Sequence, residues 1–95
     1  MKNKIEFPVF VDKEGVGPPC IGWACGMPGS MWEWYFFEKE SDDIYFAYVM
    51  GDENEWGKVS INELQAAGIK VIFNAKVLND IFPPLGWTKK GVLSR

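Results

Sequence analysis

The sequence predicts a small α+β domain, a mostly antiparallel sheet of four or five strands with one or two short helices on one face. Three observations carry this. Aromatic and β-branched residues recur in short alternating runs separated by turn formers, one stretch matches a helix-capping box, and 95 residues are too few to divide into two cores. Residues 1–95 are therefore read as a single domain.

Ile5 to Val11, IEFPVFV, reads as a strand, and Pro8, which cannot donate to a ladder, places it at a sheet edge or a kink. Residues 12–31 hold five of the ten glycines and three of the six prolines, which predicts a long loop. Cys20, Ile21, Trp23 and Met27 give that loop apolar surface to pack down on the sheet. Trp32 to Lys39 and Ile44 to Met50 are aromatic-rich runs joined by the polar Glu40-Ser41-Asp42-Asp43, the pattern of an antiparallel hairpin. Alternation puts Trp32, Trp34 and Phe36 on one face and Glu33, Tyr35 and Phe37 on the other. In the second strand Ile44, Phe46, Tyr48 and Met50 oppose Tyr45, Ala47 and Val49. Both faces are apolar, so both need a cover.

Gly51 to Gly57, GDENEWG, turns the chain, and Lys58 to Ile61 returns as a short strand. Ser60-Ile61-Asn62-Glu63 is a capping box, the serine hydroxyl taking the third helical amide and the glutamate reaching back to the cap. Gly68 stands where a helix ends in a left-handed residue. Ile69 to Ala75 reads as a strand. Lys76 to Phe82 reads as a second short helix with Leu78, Ile81 and Phe82 on one side, stopped by Pro83-Pro84. The basic tail, residues 85–95, is expected to be partly flexible. Two short helices leave one face of this sheet short of cover. The long loop, a second subunit or a ligand must supply it, which is a physical reason to expect binding.

Composition narrows the function. The chain is 47% apolar and 24% charged, as in globular proteins, and no apolar run approaches the roughly 18 residues that span a bilayer. The N-terminus lacks a long apolar core before a cleavage site, so a cytoplasmic protein without a membrane partner is expected. Net charge is -3, distributed as 0 over residues 1–32, -7 over 33–63 and +4 over 64–95. Such polarity favours a basic protein partner and disfavours nucleic acid. There is no histidine, which removes the commonest general base and metal ligand. The expected protein is not an enzyme and carries no cofactor.

Pro28-Gly29-Ser30 followed by Trp32-x-Trp34-Tyr35, then Gly51-x-Glu53-x-Glu55-x-Gly57-x-x-Ser60-Ile61-x-Glu63-Leu64, resembles an uncharacterised family of small bacterial plasmid- and phage-associated proteins, domain of unknown function 2958. The resemblance spans roughly residues 27–75 and leaves out both cysteines and the tail. It implies an accessory protein of a mobile element and brings no catalytic or binding role. Small acidic proteins of such elements often inhibit a host or anti-phage defence protein by covering its surface.

Three groups of residues offer chemistry. Glu53 and Glu55, spaced i, i+2, share one face if extended. With Asp52 or Glu33 they offer oxygen ligands to a divalent cation or a paired acid and base, against the plainer role of keeping a turn soluble. Cys20 and Cys25 offer half a zinc site or a small disulfide, against two buried reduced thiols. Trp32, Trp34, Tyr35 and Trp56 offer a protein interface or a base-stacking platform, against simple core filling. The charges interleaved among these rings are Glu33 and Glu38, which favours protein over nucleic acid.

The expected function is a non-enzymatic protein-binding module of a mobile element, an inhibitor acting by occlusion. Trp32, Trp34, Tyr35 and Trp56 would be its apolar contacts, with Glu53 and Glu55 its charged ones. The alternatives are a nucleotide-type ligand binder with an aromatic pocket and a carboxylate metal-dependent enzyme. A homodimer through the uncovered face is compatible with each.

Overall fold

A computed structural model describes residues 5–15, 17–26 and 30–94 of the chain. Met27, Pro28 and Gly29, which belong to the expected loop surface and the family motif, lie outside the described residues. Strands β1 (Glu6–Val11), β2 (Gly22–Cys25), β3 (Glu33–Lys39), β4 (Ile44–Met50) and β5 (Asn54–Ser60) precede helix α1 (Ile61–Ala66). Strand β6 (Val71–Ile72), helix α2 (Ala75–Leu78) and strand β7 (Thr88–Ser94) follow. Five strands form one antiparallel sheet in the order β5-β4-β3-β2-β6, and β1 and β7 form a separate antiparallel ribbon. The fold is the α+β class that the sequence predicts.

The β3–β4 hairpin alternates as the sequence requires. Trp34, Phe36 and Ala47 pack with Ala24 and Ile61 on what we call the helix face, with Tyr45, Val49, Leu64 and Val71 around them. Tyr35 and Phe37 pack with Phe10 and Cys20 on the opposite, ribbon face, with Trp23, Tyr48, Met50, Ile81 and Trp87 around them. The same chain therefore covers both faces. The expected shortage of cover is corrected by the ribbon and the segment that leads into it.

That correction begins with two strands. Residues 12–31 are not a continuous loop, because β2 lies inside them as an interior strand paired with both β3 and β6. Four residues, GWAC, are too short to show alternation, and their leading glycine mimics a turn. Gly22 is there for close approach: a Cβ would lie 2.8 Å from the Phe73 ring. Likewise the tail forms a strand over Thr88–Ser94. It pairs with β1 from Glu6↔Ser94 to Val11↔Thr88, a contact nearly the whole chain apart in sequence. Pro8 fits because its carbonyl accepts the Cys20 amide at 2.8 Å. A residue's N and O point to the same side of a strand, so the missing donor faces away from β7.

The cap of α1 also differs in one partner. Ser60 Oγ accepts the Glu63 amide at 3.2 Å as expected. The carboxylate beside it is that of Asp43, which accepts the Ser60 hydroxyl and, at 2.7 Å, the Asn62 amide. The register Ile44↔Ser60 brings the β3–β4 turn to the helix start, so a neighbouring strand delivers the acid that the local motif assigned to Glu63. Gly68, with φ +84°, closes the other end: its amide reaches Gln65 O and that of Ile69 reaches Leu64 O, each at 3.0 Å.

The expected strand over 69–75 shortens to Val71–Ile72, because Asn74 Oδ1 accepts the amides of Lys76 and Val77 at 2.9 and 3.4 Å and starts α2 early. That helix ends at Leu78, which is fully buried. Phe82, expected on its apolar side, is instead 86% exposed.

Candidate functional site

Segment 81–87 forms the site at one end of the sandwich. Pro84 is buried and Ile81 half-buried, so the segment is anchored to the ribbon face at both points. The Trp87 amide donates to Pro84 O at 2.9 Å, closing a turn in which Gly86 takes a φ of +87° at the third position. Such a turn holds its second residue at the corner, and Leu85 is accordingly 81% exposed. Phe82 and Met31, at 86% and 88%, project nearby.

Two open hollows meet there, sharing Met50 and Leu85. The first, about 310 Å³, is lined by Trp23, Glu33, Tyr35, Ile81, Phe82 and Pro83 besides these two. The second, about 530 Å³, adds Ser30, Met31, Trp32, Gly51, Asp52 and Asn54.

Strand register assembles the first hollow. Trp23 lies directly opposite Tyr35, and Glu33, two residues earlier on β3, lies opposite Met50. Period two therefore turns all four toward the ribbon face. Glu33 Oε2 accepts the Trp23 indole N–H at 3.2 Å and the Tyr35 hydroxyl at 3.1 Å. The hydroxyl also lies 3.1 Å from Phe82 O, so its single proton serves one acceptor at a time. Burial, then the Glu33 charge, raises the Tyr35 pKa far above the ordinary phenol range, and the ring stays neutral.

The six residues expected to form a site do not come together. Trp34 and Tyr35 are core residues, 8% and 2% exposed, on opposite faces. Trp32 is stacked on Trp34 at 5.9 Å and lies over Gly51, where a Cβ would meet its ring at 2.4 Å. It is 40% exposed and lines the second hollow. Trp56 sits on edge strand β5 in a separate aromatic pile, stacked on Phe46 at 5.0 Å and beside Tyr48 and Trp87 at 5.3 and 5.8 Å. Glu53 is in the bend and Glu55 in β5 opposite Val49, so the extended segment that would align their carboxylates does not run through both.

Phe82, Leu85 and Met31, the most exposed apolar side chains here, were not expected to contribute. The signal was the Pro83-Pro84-Leu85-Gly86 run, which marks a rigid corner more than a helix stop.

Other chemistry is sparse. Among the described residues no group of three or more His, Cys, Asp or Glu side chains gathers to hold a metal ion. Cys20 is buried, its Sγ donating to Gly22 O at 3.2 Å, and desolvation pushes its pKa up to about 12. Cys25 is exposed, so the expectation of two buried thiols holds for one. Among the described residues no helix is long and apolar enough to cross a membrane. Compared with family models, curated proteins and solved structures, the chain matches none.

Proposed function

We propose that this chain is a non-enzymatic protein-binding module that docks its partner with the end of the sandwich. Phe82, Leu85 and Met31, with Trp32 beside them, are the apolar anchors, and Glu33 and Asp52, which line the two hollows, are the surrounding acids. The observation that supports this most is the exposure of Phe82, Leu85 and Met31 at 86%, 81% and 88% around two adjoining hollows. Large apolar side chains this far into water favour association, and Leu85, fixed at the corner of its turn, loses little backbone freedom on docking. The neighbouring acids suit a basic partner.

The resemblance over residues 27–75 supports a mobile-element context, in which the module inhibits a host or anti-phage defence protein by covering its surface. Capture from a native bacterial lysate tests the docking surface. Wild type and Val77→Asp, an exposed apolar position on α2, should retain the same protein, and Leu85→Asp should lose it with an unchanged melting temperature. Equal capture by Leu85→Asp would contradict the proposal.

A further inference from the structure

We propose that the hollow beside Glu33 receives one arginine side chain of the partner. This rests on the protein-binding reading above and gives that surface its central polar contact. Glu33 is half-buried, and its Oε2 is pinned by Trp23 and Tyr35. A carboxylate offers about four lone-pair sites. Oε1 has no hydrogen-bond partner among the described residues, and no described lysine or arginine pairs with this carboxylate. A partly desolvated charge that no cation balances gains more than a free surface charge does when a cation reaches it. The geometry is also pre-formed: the two donors fix the carboxylate, so a guanidinium meets an acceptor already oriented.

The walls select among cations. Trp23 and Phe82 present aromatic surface, and Met50 and Ile81 present aliphatic surface, around a single carboxylate. A planar, weakly hydrated guanidinium can stack on such rings while hydrogen bonding at its edge, and its methylene stem can lie along the aliphatic wall. A compact, strongly hydrated ammonium fits less well. The volume of about 310 Å³ corresponds to roughly ten waters of liquid, the room for one large side chain. Asp52 on the adjoining hollow adds attraction at longer range. A neutral or anionic group would leave Glu33 uncompensated.

The test uses the intact protein and small probes, N-acetyl-arginine amide against its uncharged isostere N-acetyl-citrulline amide, and follows the Trp23 indole N–H resonance by NMR. The arginine probe should shift that resonance saturably, and citrulline should bind about tenfold more weakly or less. Glu33→Gln, which keeps an acceptor for Trp23 and Tyr35, should lose about tenfold in arginine affinity. Phe82→Ala, at an exposed position, should weaken binding several-fold and guards against a folding defect in the first variant. No saturable shift, or equal binding of the two probes, would overturn the inference. The probes need no partner, so their failure leaves the Leu85→Asp capture result standing, and the reverse holds as well.

Discussion

Two parts of this molecule gather large apolar side chains and differ in what their surroundings do with them. Along the ribbon face Phe37, Phe46, Tyr48, Trp56 and Trp87 stack on one another at 4.8 to 6.1 Å and satisfy each other. At the opposite extreme Phe82 and Leu85 are exposed around the double proline and the Gly86 turn that lead into β7, and Met31 is exposed just before β3. Both places hold large apolar side chains, aromatic in the first and mixed in the second. The first leaves only Trp56 exposed, at 41%, while the second leaves three side chains above 80%, so aromatic density marks the core here and backbone geometry marks the site.

The comparison breaks most visibly if hairpin substitutions fail to unfold the protein. Phe36 is fully buried on the helix face, and Phe36→Ala should cost about 3–5 kcal/mol, read as a fall in the urea midpoint or a chain that no longer folds. Leu85→Asp should shift stability by no more than about 0.5 kcal/mol. A smaller effect is expected between these regions: Tyr35→Phe removes the hydroxyl that bonds Glu33 and Phe82 and should cost about 1–2 kcal/mol. It should also perturb the Trp23 indole resonance.

Thiol chemistry sharpens the contrast between inside and outside. A disulfide exchange reagent should label Cys25 at once and Cys20 only as the protein unfolds, because the first is exposed and the second is buried as the thiol. One labelling phase with two equivalents would contradict the buried position of Cys20.

The smallest effect concerns the α1 cap. The Ser60 hydroxyl, then the Asn62 amide, lowers the Asp43 pKa. The unfolded chain then binds the proton more readily, so stability rises with pH through this window. The contribution is complete above the ordinary aspartate value near about 3.9 and is lost as pH falls through the lowered folded value. The stability difference between wild type and Asp43→Asn should therefore shrink from pH 6 toward pH 3 in urea titrations.

What could be read from the sequence was local. The hairpin faces follow from alternation over seven-residue strands, and the Ser60 cap and the Gly68 terminus follow from neighbours within one helix. Missed features depend on distant partners or on turn geometry. β2 is four residues with a glycine, and is a strand because β3 and β6 flank it. β7 is a basic tail by composition and a strand because β1 waits some 80 residues away. Phe82 reads as the apolar side of a short helix, and Leu85 as the start of a flexible tail. Their exposure comes from the Pro84–Trp87 turn, which no apolar period reports. Glu33 was noticed as a charge among rings, while its pairing with Trp23 required the β2–β3 register.

The most direct measurement is amide hydrogen exchange on the complex with the captured partner, compared with the free protein. The account predicts new protection confined to Met31–Glu33, Gly51–Glu53 and Phe82–Gly86. Protection concentrated on β5 around Trp56, with the end of the sandwich unchanged, would contradict it.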